Sequence, residues 1–296
     1  MFDPLSDVLN VIGAKVTRRT RMEASGQWAL AFPAVDRLKF VALLRGRQWV
    51  IVPGDAPRLM EEGDVCLIGR TPYVVASDPD ITPVDGLAFY GDPGCDVARI
   101  GGDDTIGVGG TVTVGAGNGD FLLEMLPDFM IVSRSSAGSE AIAKVLSLMN
   151  DEIGRDMIGS EIINARLADV LLVEAIRTYA GRTGPLAMGW LGALADDRLG
   201  RALRAMHEDI TQQWTVARLA SVAGMSRAAF SAAFARNVGK PPLAYLRMWR
   251  LTVAYMALMR GDVTVASVAL EVGYTSQSAF GYAFRRAFGH SPKALV

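Results

Sequence analysis

The last third of the chain carries its apolar and glycine positions in two copies, about 50 residues apart. The first group comprises Leu219, Ala220, Ala223 and Gly224, which recur 49 residues later as Val268, Ala269, Val272 and Gly273. The second group comprises Phe230, Phe234, Arg236, Gly239 and Pro242, which recur 50 residues later as Phe280, Phe284, Arg286, Gly289 and Pro292. A pattern that keeps its apolar spacing and changes only in a turn predicts two copies of one structural unit.

The first copy has the pattern of a helix-turn-helix. Apolar residues from Val216 to Ala223 follow helical spacing, and Gly224 permits a left-handed turn after them. Ser226 is a suitable N-cap for the next helix, in which Phe230 and Phe234 are the inner anchors. The outward positions, which are the candidate DNA-binding residues of this copy, are Ser226, Arg227, Ala228, Ser231 and Ala232.

The second copy follows the same logic, with Phe280 and Phe284 as inner anchors and Thr275 or Ser276 as the N-cap. Gln and Arg side chains make bidentate contacts with base edges, and Arg also pairs with phosphates. The candidate DNA-binding residues of this copy are Ser276, Gln277, Ser278, Ala279, Tyr282, Arg285 and Arg286. An ordinary helical bundle would explain either copy alone, but not two copies with matching turns and caps.

A spacer helix is predicted between Pro241-Pro242 and Gly261. Its length of about 18 residues, at about 1.5 Å per residue, gives a rod of roughly 27 Å. Such a rod would hold two recognition helices about one DNA turn apart, roughly 34 Å, on one face of the duplex.

Residues 190–296 resemble the DNA-binding domain of the AraC/XylS family of transcription regulators. The stretches that carry the resemblance are Trp214–Ala220, Gly224–Phe230, Tyr245–Arg250, Val272–Tyr274, Ser276–Phe280 and Ala283–Gly289. The resemblance implies promoter binding by an all-helical double helix-turn-helix. Ala228 and Ala232 depart from relatives that often carry larger side chains there, and the ending Lys293–Val296 lacks the family's aromatic-Arg pair.

Residues 38–114 change to a pattern of short strands. Phe40–Leu44 and Gln48–Val52 flank Arg45-Gly46-Arg47 and predict a hairpin, and Thr111–Val114 alternates as a strand does. Many short strands between Gly and Pro turns predict a small antiparallel barrel or sandwich. Its order resembles the cupin-like sensory domain found in one branch of the family. Two helices are predicted after it, over Ser139–Met149 and Glu161–Tyr179.

The predicted fold class is therefore α+β with two domains. Residues 1–182 are expected to form a cupin-like β-barrel with trailing helices, which senses a ligand or mediates dimerisation. Residues 183–189 are the expected linker, and residues 190–296 the all-α DNA-binding domain with two helix-turn-helix motifs.

The barrel lacks the histidines with which cupin enzymes hold a metal, because His207 and His290, the chain's two histidines, lie outside it. We therefore expect no catalytic residue, no metal and no cofactor, and we interpret both histidines as surface or capping residues. In the glycine-rich stretch 101–119, Gly109-Gly110 leads into strand-like Thr-Val-Thr-Val rather than a helix, so flexible turns are expected there instead of a phosphate loop.

A barrel without catalytic groups can still hold a small-molecule effector. The candidate pocket residues are Trp28, Phe40, Trp49, Tyr73, Phe89 and Arg45. In the second predicted helix, an apolar stripe either covers the barrel or pairs with the same helix of a second subunit. Its candidate dimer residues are Ile163, Leu167, Val170 and Leu171.

The balance of charged residues differs between the C-terminal part of the chain and the rest, which fits a DNA-binding part joined to a part that does not bind DNA. From His207 onward ten Lys and Arg stand against four Asp and Glu, whereas the whole chain has a net charge of −1. No apolar run approaches about 18 residues and no signal peptide is evident, so a cytoplasmic protein without a membrane partner is expected. Cys66 and Cys95 are expected to be free thiols.

These patterns predict a sequence-specific transcription regulator that binds double-stranded promoter DNA as a homodimer. An unknown small-molecule effector is expected to control it, and RNA polymerase is a candidate further partner. One alternative is a cupin-type small-molecule enzyme with a DNA-binding appendage, against which the missing barrel histidines count. The other is a structural DNA-binding protein of low specificity, against which the large N-terminal domain counts.

Overall fold

The chain forms two compact units in a computed structural model that describes residues 3–90, 96–114, 119–155, 157–182, 189–261 and 263–295. The sheet unit comprises Lys15–Thr113 and Pro127–Arg182. The helical unit comprises Met1–Ala14, Val114–Leu126 and Thr183–Val296.

The sheet unit is built from two sheets that share one core. Its strands are β1 (Lys15–Ala24), β2 (Ala29–Phe32), β3 (Leu38–Arg45), β4 (Arg47–Ile51), β5 (Arg58–Glu61), β6 (Val65–Ile68), β7 (Tyr73–Ala76), β8 (Val84–Asp85), β9 (Val97–Ile100), β10 (Thr105–Thr113) and β11 (Phe129–Val132). One sheet has the order β11-β6-β3-β10-β1-β9 and the other β5-β4-β7-β2-β8. Buried side chains such as Met22, Leu43 and Val75 form the common core. This is the sheet-rich architecture predicted for the first half of the chain.

The segment Arg45-Gly46-Arg47 is a corner between the two sheets and not a hairpin turn. β3 pairs with β6 and β10, whereas β4 pairs with β5 and β7 in the other sheet. The predicted hairpin over Phe40–Leu44 and Gln48–Val52 is therefore wrong. Gly46 has φ of 77°, and a Cβ there would overlap the carbonyl oxygen of Asp104, so this corner requires glycine.

Glycines lie inside a central strand, where flexible turns were expected. β10 runs from Thr105 to Thr113 between β3 and β1, and it contains Gly107, Gly109 and Gly110. A Cβ at Gly110 would overlap the ring of Phe40, so the glycine allows this close packing. The expectation of flexible turns is wrong for these residues, and residues 115–118 of the same stretch lie outside the described ranges.

Two helices cover the sheet unit, and they confirm the two helices predicted after the strands. They are α3 (Glu140–Arg155) and α4 (Ser160–Arg182). α4 packs against α3 and against β1, β6 and β11. The Asp169 carboxylate of α4 accepts a hydrogen bond of 2.9 Å from the backbone N–H of Val16, which fixes the helix to the beginning of β1.

The helical unit contains the two repeats and also two segments from earlier in the chain. Its helices are α1 (Pro4–Val11), α2 (Gly119–Met125), α5 (Gly189–Ala195), α6 (Asp197–Glu208), α7 (Val216–Ala223), α8 (Arg227–Val238), α9 (Pro242–Arg260), α10 (Val265–Glu271) and α11 (Gln277–Phe288). α1 and α2 thus belong to the helical unit, although their sequence lies within the predicted domain 1–182. Of the predicted linker 183–189, residues 183–188 lie outside the described ranges.

Candidate nucleic-acid interface and ligand cavity

The first helix-turn-helix consists of α7, a turn at Gly224 and α8. Gly224 ends α7 with φ of 64°, and the Ser226 hydroxyl accepts a hydrogen bond from the backbone N–H of Ala229 at the beginning of α8. Phe230 and Phe234 are fully buried, with ring centroids 5.5 Å apart. The predicted turn, cap and inner anchors of this copy are therefore confirmed.

The second helix-turn-helix consists of α10, a turn at Gly273 and α11. α10 begins with a capping box between Thr264 and Ser267. Ser276, and not Thr275, is the N-cap of α11, because its hydroxyl accepts a hydrogen bond from the backbone N–H of Ala279. Phe280 and Phe284 are fully buried, as predicted.

Both recognition helices, α8 and α11, leave the predicted outward positions accessible. In α8, Arg227, Ala228 and Ala232 are exposed and Ser231 is half-buried. In α11 the exposed side chains are Gln277, Ser278, Ala279, Tyr282, Arg285 and Arg286. Ser226 and Ser276 are also exposed while serving as N-caps, so each hydroxyl proton remains free to donate to a phosphate. The role of these residues in DNA binding stays a prediction.

The two motifs are joined by α9 and by a network of hydrogen bonds. The Arg250 side chain of α9 donates to the carbonyl oxygens of Ile210 at 2.9 Å and Gln212 at 2.8 Å, just before α7. The neighbouring Gln213 amide donates to the carbonyl oxygen of Gly273 at 2.9 Å, in the turn of the second motif. This network, which we call the inter-motif clamp, restricts movement of one motif against the other.

A buried chain of hydrogen bonds lies beneath the first motif. His207 Nδ1 lies 2.7 Å from Asp7 Oδ2, His207 Nε2 lies 2.7 Å from the Tyr245 hydroxyl, and Trp190 Nε1 donates to that hydroxyl at 2.9 Å. Burial lowers the pKa of His207, and the Asp7 carboxylate opposes this only in part. A neutral imidazole donates to Asp7 and accepts from Tyr245, so every group is satisfied. The interpretation of His207 as a surface or capping residue is therefore wrong.

The short helix α2 is anchored on α9. Phe121 is buried, and its ring centroid lies 5.3 Å from that of Trp249 and 6.4 Å from that of Tyr245. Glu124 forms an ion pair of 3.1 Å with Lys240, two residues after the end of α8. Both contacts lie within the helical unit.

A cavity of about 110 Å³ lies in the sheet unit. Its apolar walls include Met22, Phe32, Phe40, Val75, Leu87 and Tyr90, and Gly107–Gly110 of β10 form a further wall. Gln48 of β4 also lines it, only 1% exposed, and neither its side-chain oxygen nor its nitrogen has a hydrogen-bond partner. At the wall, Lys39 Nζ lies 5.6 Å and 5.3 Å from the ring centroids of Phe32 and Tyr73.

Two of the six predicted pocket residues, Phe40 and Tyr73, line this cavity. Trp28 is buried in the core of the sheet unit, and Phe89 packs against that core. Trp49 is half-buried without lining the cavity, and exposed Arg45 pairs with Asp103 at 3.0 Å. Gln48 was not among the predicted pocket residues. The sequence feature that could have indicated it is a polar residue at a position where the alternation of the strand places side chains in the core.

The predicted dimer residues of α4 divide between two faces. Leu171 is fully buried within the sheet unit and is therefore not available to a second subunit. Leu167 is half-buried, whereas Ile163 and Val170 are 45% and 46% exposed. Further exposed apolar side chains on α3 and α4 and between them are Leu148, Met157, Ile158 and Ile162.

Within the described ranges, no group of three or more His, Cys, Asp and Glu side chains has the arrangement of a metal site. The same residues contain no helix that is long and apolar enough to cross a membrane. Cys66 is a free, buried cysteine, and burial raises the pKa of its thiol to about 12. Cys95 lies outside the described residues.

Comparison with known proteins finds a match for each of the two predicted functional parts of the chain. A family model described as a cupin matches residues 3–181, and one described as a helix-turn-helix domain matches residues 219–296. An AraC-like transcription regulator from Streptomyces lividans is 36% identical over 293 residues, which cover 98% of this chain and 96% of that protein. The HTH-type transcriptional regulator AlkR from Acinetobacter baylyi is 29% identical over 300 residues, with 98% of each chain covered. The chain therefore belongs to the family of AraC-like transcription regulators and is a DNA-binding transcription regulator with an N-terminal cupin domain.

Proposed function

We propose that this regulator binds a bipartite promoter site with α8 and α11, under the control of a small molecule held in the cavity of the sheet unit. The observation that supports bipartite binding most directly is the pair of exposed recognition helices joined by α9 and the inter-motif clamp. α9 has 19 residues, which corresponds to about 28 Å and suits two major-groove contacts on one face of the duplex.

The course of the chain supplies a route for control. β1 and β10 both line the cavity. The residues before β1 contain α1, whose Asp7 contacts His207, and the residues after β10 contain α2, whose Phe121 packs on Trp249. A ligand that shifts either strand would therefore pull on a segment anchored beside the recognition helices.

The exposed apolar face of α4 is the surface we assign to a second copy of this chain. Ile163 and Val170 lie seven residues apart, which is two helical turns, so they share one face. Replacing both by Asp should lower the fraction of dimer in sedimentation equilibrium, because two charges would enter an apolar interface. Glu161→Lys, an exposed charge change on the same helix but two residues from Ile163 and therefore on the other side of α4, is the control. An unchanged dimer in the double variant would contradict this assignment.

Promoter selection with the full chain tests the central proposal. Random DNA should yield two preferred segments about 10 base pairs apart, the spacing of one helical turn. Selection of no preferred sequence at fixed salt would instead support the structural, low-specificity alternative. The proposal places the protein in the cytoplasm with its promoter, and a pull-down with the selected DNA would test RNA polymerase as its further partner.

A further inference from the structure

The Gln48 side chain is the strongest indication of what the cavity accepts. It is 1% exposed on β4, where it shares the inward face with buried Val50 and alternates with exposed Arg47 and half-buried Trp49. Neither amide atom has a hydrogen-bond partner, although buried polar groups in folded proteins are nearly always paired. Its surroundings are mostly apolar, because Met22, Phe40 and Val75 border the same space. An amide in this position is poorly solvated by the protein itself.

The size of the cavity limits the ligand. The volume of about 110 Å³ is somewhat below the roughly 150 Å³ of a protein cavity that accepts benzene. A single ring is therefore the upper limit for the enclosed part of a ligand, and anything larger must extend into the open side of the cavity. Gly107 of β10 leaves part of this space open, because a Cβ there would lie only 3.8 Å from Met22 Cε and 3.9 Å from Gln48 Oε1.

The chemistry of Gln48 decides which polar group such a ring carries. A glutamine amide offers one acceptor oxygen and two donor hydrogens, so its complement places a donor beside an acceptor. A carboxylate has only acceptors, and it would set an anionic oxygen against the amide oxygen of Gln48. Lys39 at the cavity wall attracts an anion, so the benzoate probe below tests which of the two effects is larger. A hydrocarbon would leave both groups unpaired. We infer that the cavity binds a neutral, ring-sized molecule whose amide or lactam group pairs with Gln48.

This inference rests on the proposed function in one respect, namely that the bound amide or lactam controls DNA binding. The binding of such a molecule to the cavity can be measured without DNA. Three probes of similar size separate the chemistries: the lactam 2-pyridone, the hydrocarbon toluene and the anion benzoate. Calorimetry on the full chain should rank 2-pyridone at least tenfold tighter than either of the others. Tenfold corresponds to about 1.4 kcal/mol, which one or two buried hydrogen bonds can supply.

Gln48→Leu is the decisive variant, with Gln48→Met as a second in case the branched side chain packs badly. Either change should reverse the ranking, so that toluene binds better than 2-pyridone. Without ligand, either variant should also raise the unfolding midpoint by at least about 2 °C, because two unpaired buried groups are replaced by apolar ones. Arg47→Gln, an exposed position on the same strand, is the matched control and should leave ranking and midpoint unchanged.

Four outcomes would overturn the inference. Toluene or benzoate could bind the wild type as tightly as 2-pyridone or more tightly, or the ranking of the probes could survive in both Gln48 variants. Both variants could unfold at a lower temperature than the wild type, or none of the probes could bind, in which case water alone fills the space. Failure of the proposed control is separately visible. If 2-pyridone binds as expected but does not change the affinity for selected promoter DNA, the result supports the inferred ligand class and contradicts its role as the effector.

Discussion

Gly273 lies where the turn of the second helix-turn-helix meets the inter-motif clamp. Its φ is 80°, and a Cβ there would lie 2.7 Å from Arg250 Nη2 and 2.8 Å from the carbonyl oxygen of Thr211. Gly289 has nearly the same φ, 79°, but open space around its Cα. The two glycines therefore separate the effect of backbone conformation from the effect of the close approach.

Gly273→Ala should destabilise the protein by about 3–5 kcal/mol, since left-handed strain of about 1–2 kcal/mol adds to the loss of the Arg250 hydrogen bonds. Gly289→Ala should cost only the strain of about 1–2 kcal/mol. Urea unfolding of both variants measures the difference. Equal losses would mean that the clamp contributes nothing to stability.

His207 makes the stability of the helical unit sensitive to pH. Its folded pKa is lowered by burial, so the unfolded chain takes up a proton first as the pH falls below about 6.5. The contribution to stability is complete above that pH and is lost as the pH decreases towards the folded pKa, by at most about 1.4 kcal/mol per pH unit.

Unfolding free energies measured between about pH 5 and 7.5 should therefore decline below pH 6.5 in the wild type. His207→Gln should flatten that decline, because glutamine does not titrate. His290→Gln removes the other histidine and should retain the decline. A decline of equal slope in His207→Gln would assign it to other groups.

At the scale of elements, the two recognition helices have different chemistry. α11 presents Gln277 at its first turn and Arg286 near its end, both exposed. α8 presents Ala228 and Ala232, whose methyl groups can touch thymine methyls but cannot form a bidentate contact with a base. Arg286 also borders an open cleft of about 570 Å³ with Arg247 of α9, so it adds to a basic surface there.

We expect sharper base preference under α11 than under α8. Gln277→Ala should relax selection at one or two positions, each by about 1–3 kcal/mol. Arg286→Ala should weaken all sequences alike and lower the salt slope by about one, as the loss of one phosphate contact does. Site selection on the wild type and both variants measures this. Equal information under both helices, or more under α8, would contradict the prediction.

Elements with local signals were predictable, and elements set by distant contacts were not. Phe230, Phe234 and their repeat partners carried enough local spacing to give both helix-turn-helix motifs, with their caps and turns. Only the end of β10 was predicted, within Thr111–Val114. The glycines before it have low strand propensity, and what favours glycine at Gly110 is the close packing of Phe40 from another strand. The corner at Gly46 was predicted as a hairpin for a similar reason. A hairpin turn and a turn between two sheets have the same local sequence, and the strand pairing that distinguishes them involves distant residues.

The candidate sites show the same limit. Exposed residues of α11 follow from helical periodicity, which is local. Gln48 and His207 acquire their surroundings from residues far away in sequence: Gly107 and Met22 around the first, Asp7 and Tyr245 around the second. No pattern within one segment reports such a partner. Arg45, chosen for its charge, pairs instead with Asp103.

At the scale of the whole molecule, two segments run from cavity-lining strands into the helical unit. Ile12–Ala14 connects α1 to β1, and it includes Gly13, whose φ is 62° and whose Cα faces open space. Because this connection is only three residues long, a displacement of β1 would be transmitted to α1 with little slack. A longer, flexible connection would absorb the displacement.

Inserting Gly-Ser-Gly-Ser-Gly-Ser after Gly13 should therefore weaken control without removing DNA binding. Asp7 would still reach His207, so the affinity of the full chain for selected DNA should stay within about twofold of the wild type. A promoter–reporter strain should show a smaller ratio between its induced and uninduced levels, because less of the effector's effect on β1 arrives at α1. The matched control inserts the same six residues after Gly54, a positive-φ glycine with open space that lies in the loop between β4 and β5. A ratio that is unchanged by the first insertion, or reduced equally by both, would rule out α1 as the path of control and leave the segment around Phe121 to be tested in the same way.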